Sequence, residues 1–213
     1  MKAYPSILRQ PKGKGGARLM HVFDKVDGSN LRFEWARSDG WFRWGSRHRL
    51  LDESHPVFGR GLAMFRETLA GPVERVARAQ GWEALVAFAE FAGPKSLGGQ
   101  HAPDDATSLT LFDVAPYRRG LVGPERFLEL FAGLPTPRYL GEHLWDDDFV
   151  ARVRRGDLEG VTFEGVVGKA GDGHGLVMAK AKTGAWVARI LERYGEEEGR
   201  KLVESLARGG GAP

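Results

Sequence analysis

Along the first fifty residues the clearest pattern is a strict alternation. Leu31, Phe33 and Trp35 alternate with polar neighbours, Asp39 and Gly40 supply a two-residue turn, and Phe42 and Trp44 return. This predicts a β-hairpin in which Trp35 lies opposite Trp44 and all five large side chains share the face turned to the core. From 60 to 80 the apolar spacing changes to three and four. A helix is expected there, broken at Gly71-Pro72, with Pro72 opening a second helix that carries Val73, Val76 and Ala77. Strand-like runs follow at 84–91 and 108–114, then a short helix at 124–134. Asp146, Asp147 and Asp148 precede Phe149, Val150 and Val153. Acids so placed read as the capped start of another helix rather than as a metal site.

Two more strands are expected at 163–169 and 176–183, joined by the glycine-rich turn Asp172-Gly173-His174-Gly175. Period two puts Lys180 and Lys182 on one face of the second strand and Ala179 and Ala181 on the other. Ammonium groups so close repel, so an anion is expected between them. From 185 to 207 the period is helical, with Trp186, Ile190 and Tyr194 on one face and Leu202, Val203 and Leu206 continuing it. Residues 9–18 are basic and glycine-rich and read as a mobile loop, and 209–213 read as a disordered tail.

Composition narrows the class without naming a function. The chain has 213 residues, 42% hydrophobic and 28% charged, which suits one globular domain with at most a small appendage. It has no cysteine, so disulfides and thiolate metal sites are excluded and a reducing compartment fits. No apolar run approaches the length that crosses a bilayer, and the first residues have no signal core. The expectation is a cytoplasmic protein without a membrane partner. A formal charge of +3 is a mild bias toward polyanions. Lysine usage says more: of the 31 basic residues 22 are arginine and nine lysine, so a retained lysine draws attention to its amine.

One such amine is Lys25, in Phe23-Asp24-Lys25-Val26-Asp27-Gly28-Ser29-Asn30, just before an Asp-Gly turn. A lysine attacks phosphorus only when neutral, and with an ordinary pKa of about 10.4 fewer than roughly one in a thousand is neutral at pH 7. A nucleophilic Lys25 therefore needs partly desolvated surroundings and nearby positive charge. Two carboxylates stand inside apolar strands, Glu90 in Ala89-Glu90-Phe91 and Asp113 in Phe112-Asp113-Val114. Each needs a cation, a hydrogen-bond donor or a strand end to be tolerated.

Read in order, these segments resemble the covalent nucleotidyltransferases, the superfamily of polynucleotide ligases and mRNA capping enzymes. Lys25-Val26-Asp27-Gly28 resembles the nucleophile motif, Glu90 with Phe91 and Gly93 the third, and Phe112-Asp113 the one after it. Glu164-Gly165-Val166-Val167 resembles the fourth motif and Lys180-Ala181-Lys182 the fifth. Asn30, five residues after the lysine, and the string Phe88-Ala89-Glu90-Phe91-Ala92-Gly93-Pro94 are most similar to the RNA ligase 2 family, whereas Asp27 is more like the DNA ligases.

The resemblance implies an α+β adenylation domain over 1–183, of antiparallel sheets flanked by helices, followed by a short C-terminal helical segment over 184–208. It also implies an ATP-dependent RNA ligase of the RNA repair type, using Mg²⁺ or alternatively Mn²⁺. Such an enzyme forms a lysyl-adenylate on Lys25, passes AMP to a 5′-phosphate and seals it to a 3′-hydroxyl. By the same resemblance Lys180 and Lys182 act on the α-phosphate, and Glu164 orients Lys25 or holds the metal. Asp24, Arg47, Glu90 and Phe112 contact the nucleotide, Glu90 at the ribose and Phe112 on the adenine, while Asn30 and Arg47 handle the nucleic acid end. RNA ends, nicked duplexes included, are the expected partners. The superfamily's members usually carry a further domain after the fifth motif. About thirty residues follow it here, too few for an OB barrel, so the grip on substrate is expected from the catalytic domain itself, the short C-terminal helical segment or a partner protein. An mRNA guanylyltransferase, a small DNA ligase and a noncatalytic nucleic-acid-binding module are the alternatives.

Overall fold

The structure is a computed structural model and describes residues 4–7, 17–94, 101 and 104–207. The predicted loop before residue 17 and the tail at 209–213 lie outside the described residues, as does the side chain of Leu206. The chain divides into two compact units. The first contains Tyr4, Asp27–Thr136 and Asp172–Gly175, and the second Pro5–Val26, Pro137–Gly171 and Leu176–Pro213.

The first unit is built on an antiparallel sheet of β2 (Ser29–Ala36), β3 (Gly40–Ser46), β4 (Ala84–Ala92) and β5 (Ser108–Pro116), in the order β3-β2-β4-β5. Leu31, Phe33 and Trp35 of β2 and Leu85, Ala87, Ala89 and Phe91 of β4 enter one core with Leu62, Phe65, Leu69, Val73 and Ala77. Those last five come from one helical stretch that covers a single sheet face, and the opposite face carries the alternate residues Asn30, Arg32, Phe88 and Glu90. The expected break at Gly71-Pro72 takes another form. Helix α1 (Gly59–Met64) passes through a π turn, Phe65–Leu69, directly into α2 (Ala70–Ala79). Pro72 has no N–H and its ring would strike the carbonyl four residues back. Widening the preceding turn, with the Ala70 N–H bonded to the Phe65 carbonyl, lets the helix continue. Helix α3 (Pro124–Leu130) adds Phe127 to the same core.

The hairpin register differs from the simple alternation. Trp44 lies opposite Phe33 and Trp41 opposite Trp35, with a bulge that throws Phe42 outward to 49% exposure. The turn spans Ala36 to Asp39, and Gly40 follows at φ +66. Trp41 packs edge-on against Phe65 and donates Nε1 to the Ala70 carbonyl at 3.2 Å. The inward aromatic is therefore Trp41, not Phe42, because the bulge shifts the alternation by one residue.

The second unit holds β1 (Arg18–Asp24), β6 (Tyr139–Trp145), β7 (Gly165–Ala170) and β8 (Val177–Lys182), ordered β6-β1-β7-β8, all antiparallel. Met20, Val22, Trp145, Val166, Ala179 and Ala181 face Phe149 and Val153 of α4 (Asp147–Arg155). The acids before α4 act as a cap, with the Asp146 carboxylate accepting from the Phe149 N–H at 2.7 Å. The long helix expected from 185 is two, α5 (Gly184–Tyr194) and α6 (Glu196–Ala207), parted by Gly195 at φ +77. Trp186 and Ile190 are buried as expected.

Candidate active site

In the second unit, β1 delivers Lys25 one residue beyond its end. Its N–H bonds the Gly165 carbonyl at 2.8 Å, while Gly165 pairs with Lys182 in the β7–β8 ladder. A single row across three strands therefore reads Lys25, Gly165, Lys182. Its middle position has no side chain and can have none: Gly165 sits at φ +142, and a Cβ there would lie 2.0 Å from the Ala181 carbonyl oxygen. The gap is filled from the preceding residue. Glu164 accepts from Lys25 Nζ on Oε2 at 2.7 Å and from Lys182 Nζ on Oε1. The Glu164 side chain is 1% exposed, against 22% for Lys25 and 16% for Lys182. Glu164 is thus an anion that bridges Lys182 with Lys25, whereas the expectation was an anion between Lys180 and Lys182. Lys180 lies two residues before Lys182, on the same face of β8 and buried.

Burial alone would raise the Glu164 pKa. The charges of Lys25 and Lys182, with the hydrogen bonds they donate, outweigh it and hold the carboxyl below the usual glutamate range. The bridge is braced from three sides. Thr183 donates its N–H to the Glu164 carbonyl at 3.1 Å and its Oγ1 to the Phe163 carbonyl at 2.6 Å, and caps α5 at the Trp186 N–H. Lys182 Nζ lies 3.4 Å from the centroid of the buried Trp186 ring, a cation–π contact. Asp24 engages both carboxylate oxygens with Thr162, one at its N–H and one at its hydroxyl, and so fixes the approach to Phe163 and Glu164. Thr162, Thr183 and Trp186 carry no motif that marks them beforehand, apart from Thr183 as an N-cap at the start of a helical period.

The remaining expected residues fall in the first unit, on the sheet face away from the helices. Asn30 pairs with Glu90 across β2 and β4, and the buried Asn30 Oδ1 has no hydrogen-bond partner among the described residues. On β5 the register shifts between Phe88 and Ala89, so that Phe88 lies opposite Asp113 and Ala89 opposite Leu111. Leu109, Leu111 and Val114 keep the core side. The bulge puts Phe112 and Asp113, though adjacent, on one face. Bulges re-aim side chains in this way beside functional sites. The buried Asp113 carboxylate meets the hydroxyl of Tyr4 at 2.5 Å. Arg47, just past β3, donates Nη2 to the Tyr4 carbonyl at 3.3 Å. Tyr4 is a residue that the sequence did not mark.

Among the described residues no group of three or more His, Asp or Glu side chains could cage a metal. The carboxylate bonded to Lys25 is that of Glu164, a donor that suits an ion arriving with polyphosphate oxygens as its main ligands, as Mg²⁺ does. No helix of the described residues is long and apolar enough to cross a membrane.

The sequence matches no protein-family model and no curated protein. Solved structures do match. An archaeal ATP-dependent RNA ligase in one form superposes with a TM-score of 0.68 at 22% identity, over 97% of this chain and 56% of that one. A second form of the archaeal enzyme gives 0.64 at 19%, over 96% and 56%. A mutant of the Naegleria gruberi RNA ligase, solved with ATP and Mn, gives 0.64 at 15%, over 87% and 57%. The chain thus spans a little over half the length of the ligases it matches. At these identities the likeness concerns fold, and it extends over most of the chain: two antiparallel four-stranded sheets with helices, an α+β fold shared with those RNA ligases.

Proposed function

We propose that the protein is an ATP-dependent RNA ligase that works through an AMP adduct on Lys25. The observation that carries this reading is the buried Glu164 carboxylate bridging Lys25 and Lys182. A structural salt bridge needs one cation for one buried carboxylate. Two amines on one buried acid, in a row cleared of side chains by Gly165, are a nucleophile with a second cation ready for developing negative charge.

As an ammonium bonded to Glu164, Lys25 is held in place but is not nucleophilic. In the proposed reaction it gives one proton to solvent water before its neutral nitrogen attacks the α-phosphorus of ATP in line, and a second once the adduct has formed. A P–N bond forms, the P–O bond to pyrophosphate breaks, and pyrophosphate leaves with the electron pair. Glu164, ionised and hydrogen-bonded to that nitrogen, orients the attack and would contribute the protein's oxygen ligand to Mg²⁺, or Mn²⁺ in its place. That ion would neutralise charge on the phosphates. Lys182, held by Trp186 and Glu164, and Lys180 beside it take the α-phosphate oxygens. Asp24 keeps the Thr162–Glu164 segment in position. Phe112 is assigned to the adenine, Glu90 to a ribose hydroxyl and Arg47 to ribose or phosphate. AMP then passes to the 5′-phosphate of an RNA end, with Asn30 and Arg47 handling that end, and a 3′-hydroxyl displaces it.

Intact mass of the purified chain after incubation with Mg²⁺ and each nucleoside triphosphate tests the reading. A gain of one AMP with ATP, absent in Lys25→Ala, supports it. A GMP adduct instead points to a guanylyltransferase, and DNA ends sealed in preference to RNA ends point to a DNA ligase. RNA binding without any adduct means a noncatalytic module.

A further inference from the structure

We propose that Tyr4 is a positioning residue for the nucleotide base. The inference rests on the assignment of Phe112 and Arg47 as nucleotide contacts. Tyr4 is 7% exposed, and its ring meets two aromatic rings at once. Its centroid lies 5.0 Å from Phe88 and 5.0 Å from Phe112, at interplanar angles of 65° and 89°. Phe88 and Phe112 lie 6.3 Å apart at 29°. Phe112 is the extra residue of the β5 bulge. The edge-on Tyr4 ring on one side and the stacked Phe88 ring on another constrain its plane.

The rest of Tyr4 ties the same neighbourhood together. Its hydroxyl donates to the buried Asp113, next to Phe112 in the bulge, and its carbonyl accepts from Arg47. Burial, then the charge and hydrogen bond of Asp113 and the charge of Glu90, push the hydroxyl well above its ordinary pKa against an opposing pull from Arg47. It therefore stays protonated, a permanent donor to Asp113, through the whole range in which the protein would work. One residue thus meets the base-stacking ring, the acid beside it and the arginine assigned to ribose or phosphate. Its position early in the chain, outside every segment assigned to the nucleotide, is why nothing has given it a role.

The test separates positioning from packing. Equilibrium ATP and GTP binding, the KM and kcat of lysyl-AMP formation and the Tm are measured for the wild-type chain, Tyr4→Leu and Tyr4→Phe. Tyr4→Leu removes the aromatic edge, so ATP affinity falls about tenfold, the upper end of what an aromatic pair contributes. The preference for ATP over GTP narrows, while kcat at saturating ATP stays within about twofold because the Lys25 chemistry is intact. Tyr4→Phe keeps the ring and restores most of the ATP affinity while lowering the Tm through the lost Asp113 contact. A Tyr4→Leu chain that loses Tm but binds ATP as tightly as wild type, with unchanged base preference, overturns the proposal and leaves the Lys25 reading standing. A wild-type chain that binds no ATP overturns both.

Discussion

Replacing Glu164 by glutamine keeps the shape of the side chain and removes its charge, and the structure gives the size of the effect. Breaking a buried ion pair by deleting one charge typically costs about 3–5 kcal/mol. Here the deleted charge is the fully buried one, and the amines left behind, 22% and 16% exposed, can partly rehydrate. The loss should therefore sit at or below the lower end, about 2–3 kcal/mol at pH 7 once solvent screening is allowed for. In a chain of this size that lowers Tm by roughly 4–12 °C. The pH dependence makes the argument specific. The Glu164 carboxyl is held below its ordinary range in the folded chain, so the unfolded chain takes up its proton first. The stabilisation is complete above the unfolded pKa of about 4.3 and disappears as pH falls through the lower folded value. Thermal unfolding followed by circular dichroism, wild type against Glu164→Gln, should show the full gap from pH 6 to 7 and a shrinking one below about pH 4, where a protonated glutamate resembles glutamine. Equal Tm values at pH 7, or a gap of constant size at every pH, would refute the bridge as the source of the stability.

Three other substitutions probe the same row. Lys25→Ala should abolish the AMP adduct by intact mass while lowering stability by only about 1–2 kcal/mol, because Lys182 still holds Glu164. An adduct of wild-type yield would mean another nucleophile. Lys182→Ala should slow adduct formation by about two orders of magnitude in single-turnover labelling, through loss of a cation aimed at developing charge. It should also redden the Trp186 fluorescence as the 3.4 Å cation–π contact is lost. Gly165→Ala forces a Cβ to within 2.0 Å of the Ala181 carbonyl at φ +142. It should destabilise by at least about 2–3 kcal/mol in urea unfolding, and more than Ala at Gly133, where nothing lies within 4 Å of a Cβ.

The elements that the sequence made legible are apolar runs bounded by turn residues, as in β4, β5, β7 and β8, and the capped start of α4. β1 and β6 were not legible. In β1, Met20 and Val22 face α4 while Leu19 and Phe23 are apolar on the other side, so period two is erased. β6 is an edge strand whose register on β1 shifts between His21 and Phe23, near Gly141 at φ +93, and a bulge breaks the alternation a reader would count. The same cause explains the hairpin, where one bulged residue exchanged Phe42 for Trp41.

The candidate site divides along the same physical line. Lys25, Glu164 and Lys182 were nameable because their chemistry is local: rare amines and a carboxylate in apolar strands have few uses. That one acid would join two amines was not nameable, because it depends on Gly165 leaving a gap in a cross-strand row, and rows are fixed by register rather than by spacing. Tyr4 is the extreme case, since its whole significance comes from a β-bulge more than a hundred residues away. In a fold whose site residues sit on sheet faces, a sequence identifies which groups can react, whereas bulges and ladder register decide which of them meet. The residues most easily overlooked are accordingly those that, like Tyr4 beside Phe112 and Thr183 beside Glu164, touch a proposed site residue without carrying a reactive group of the motif.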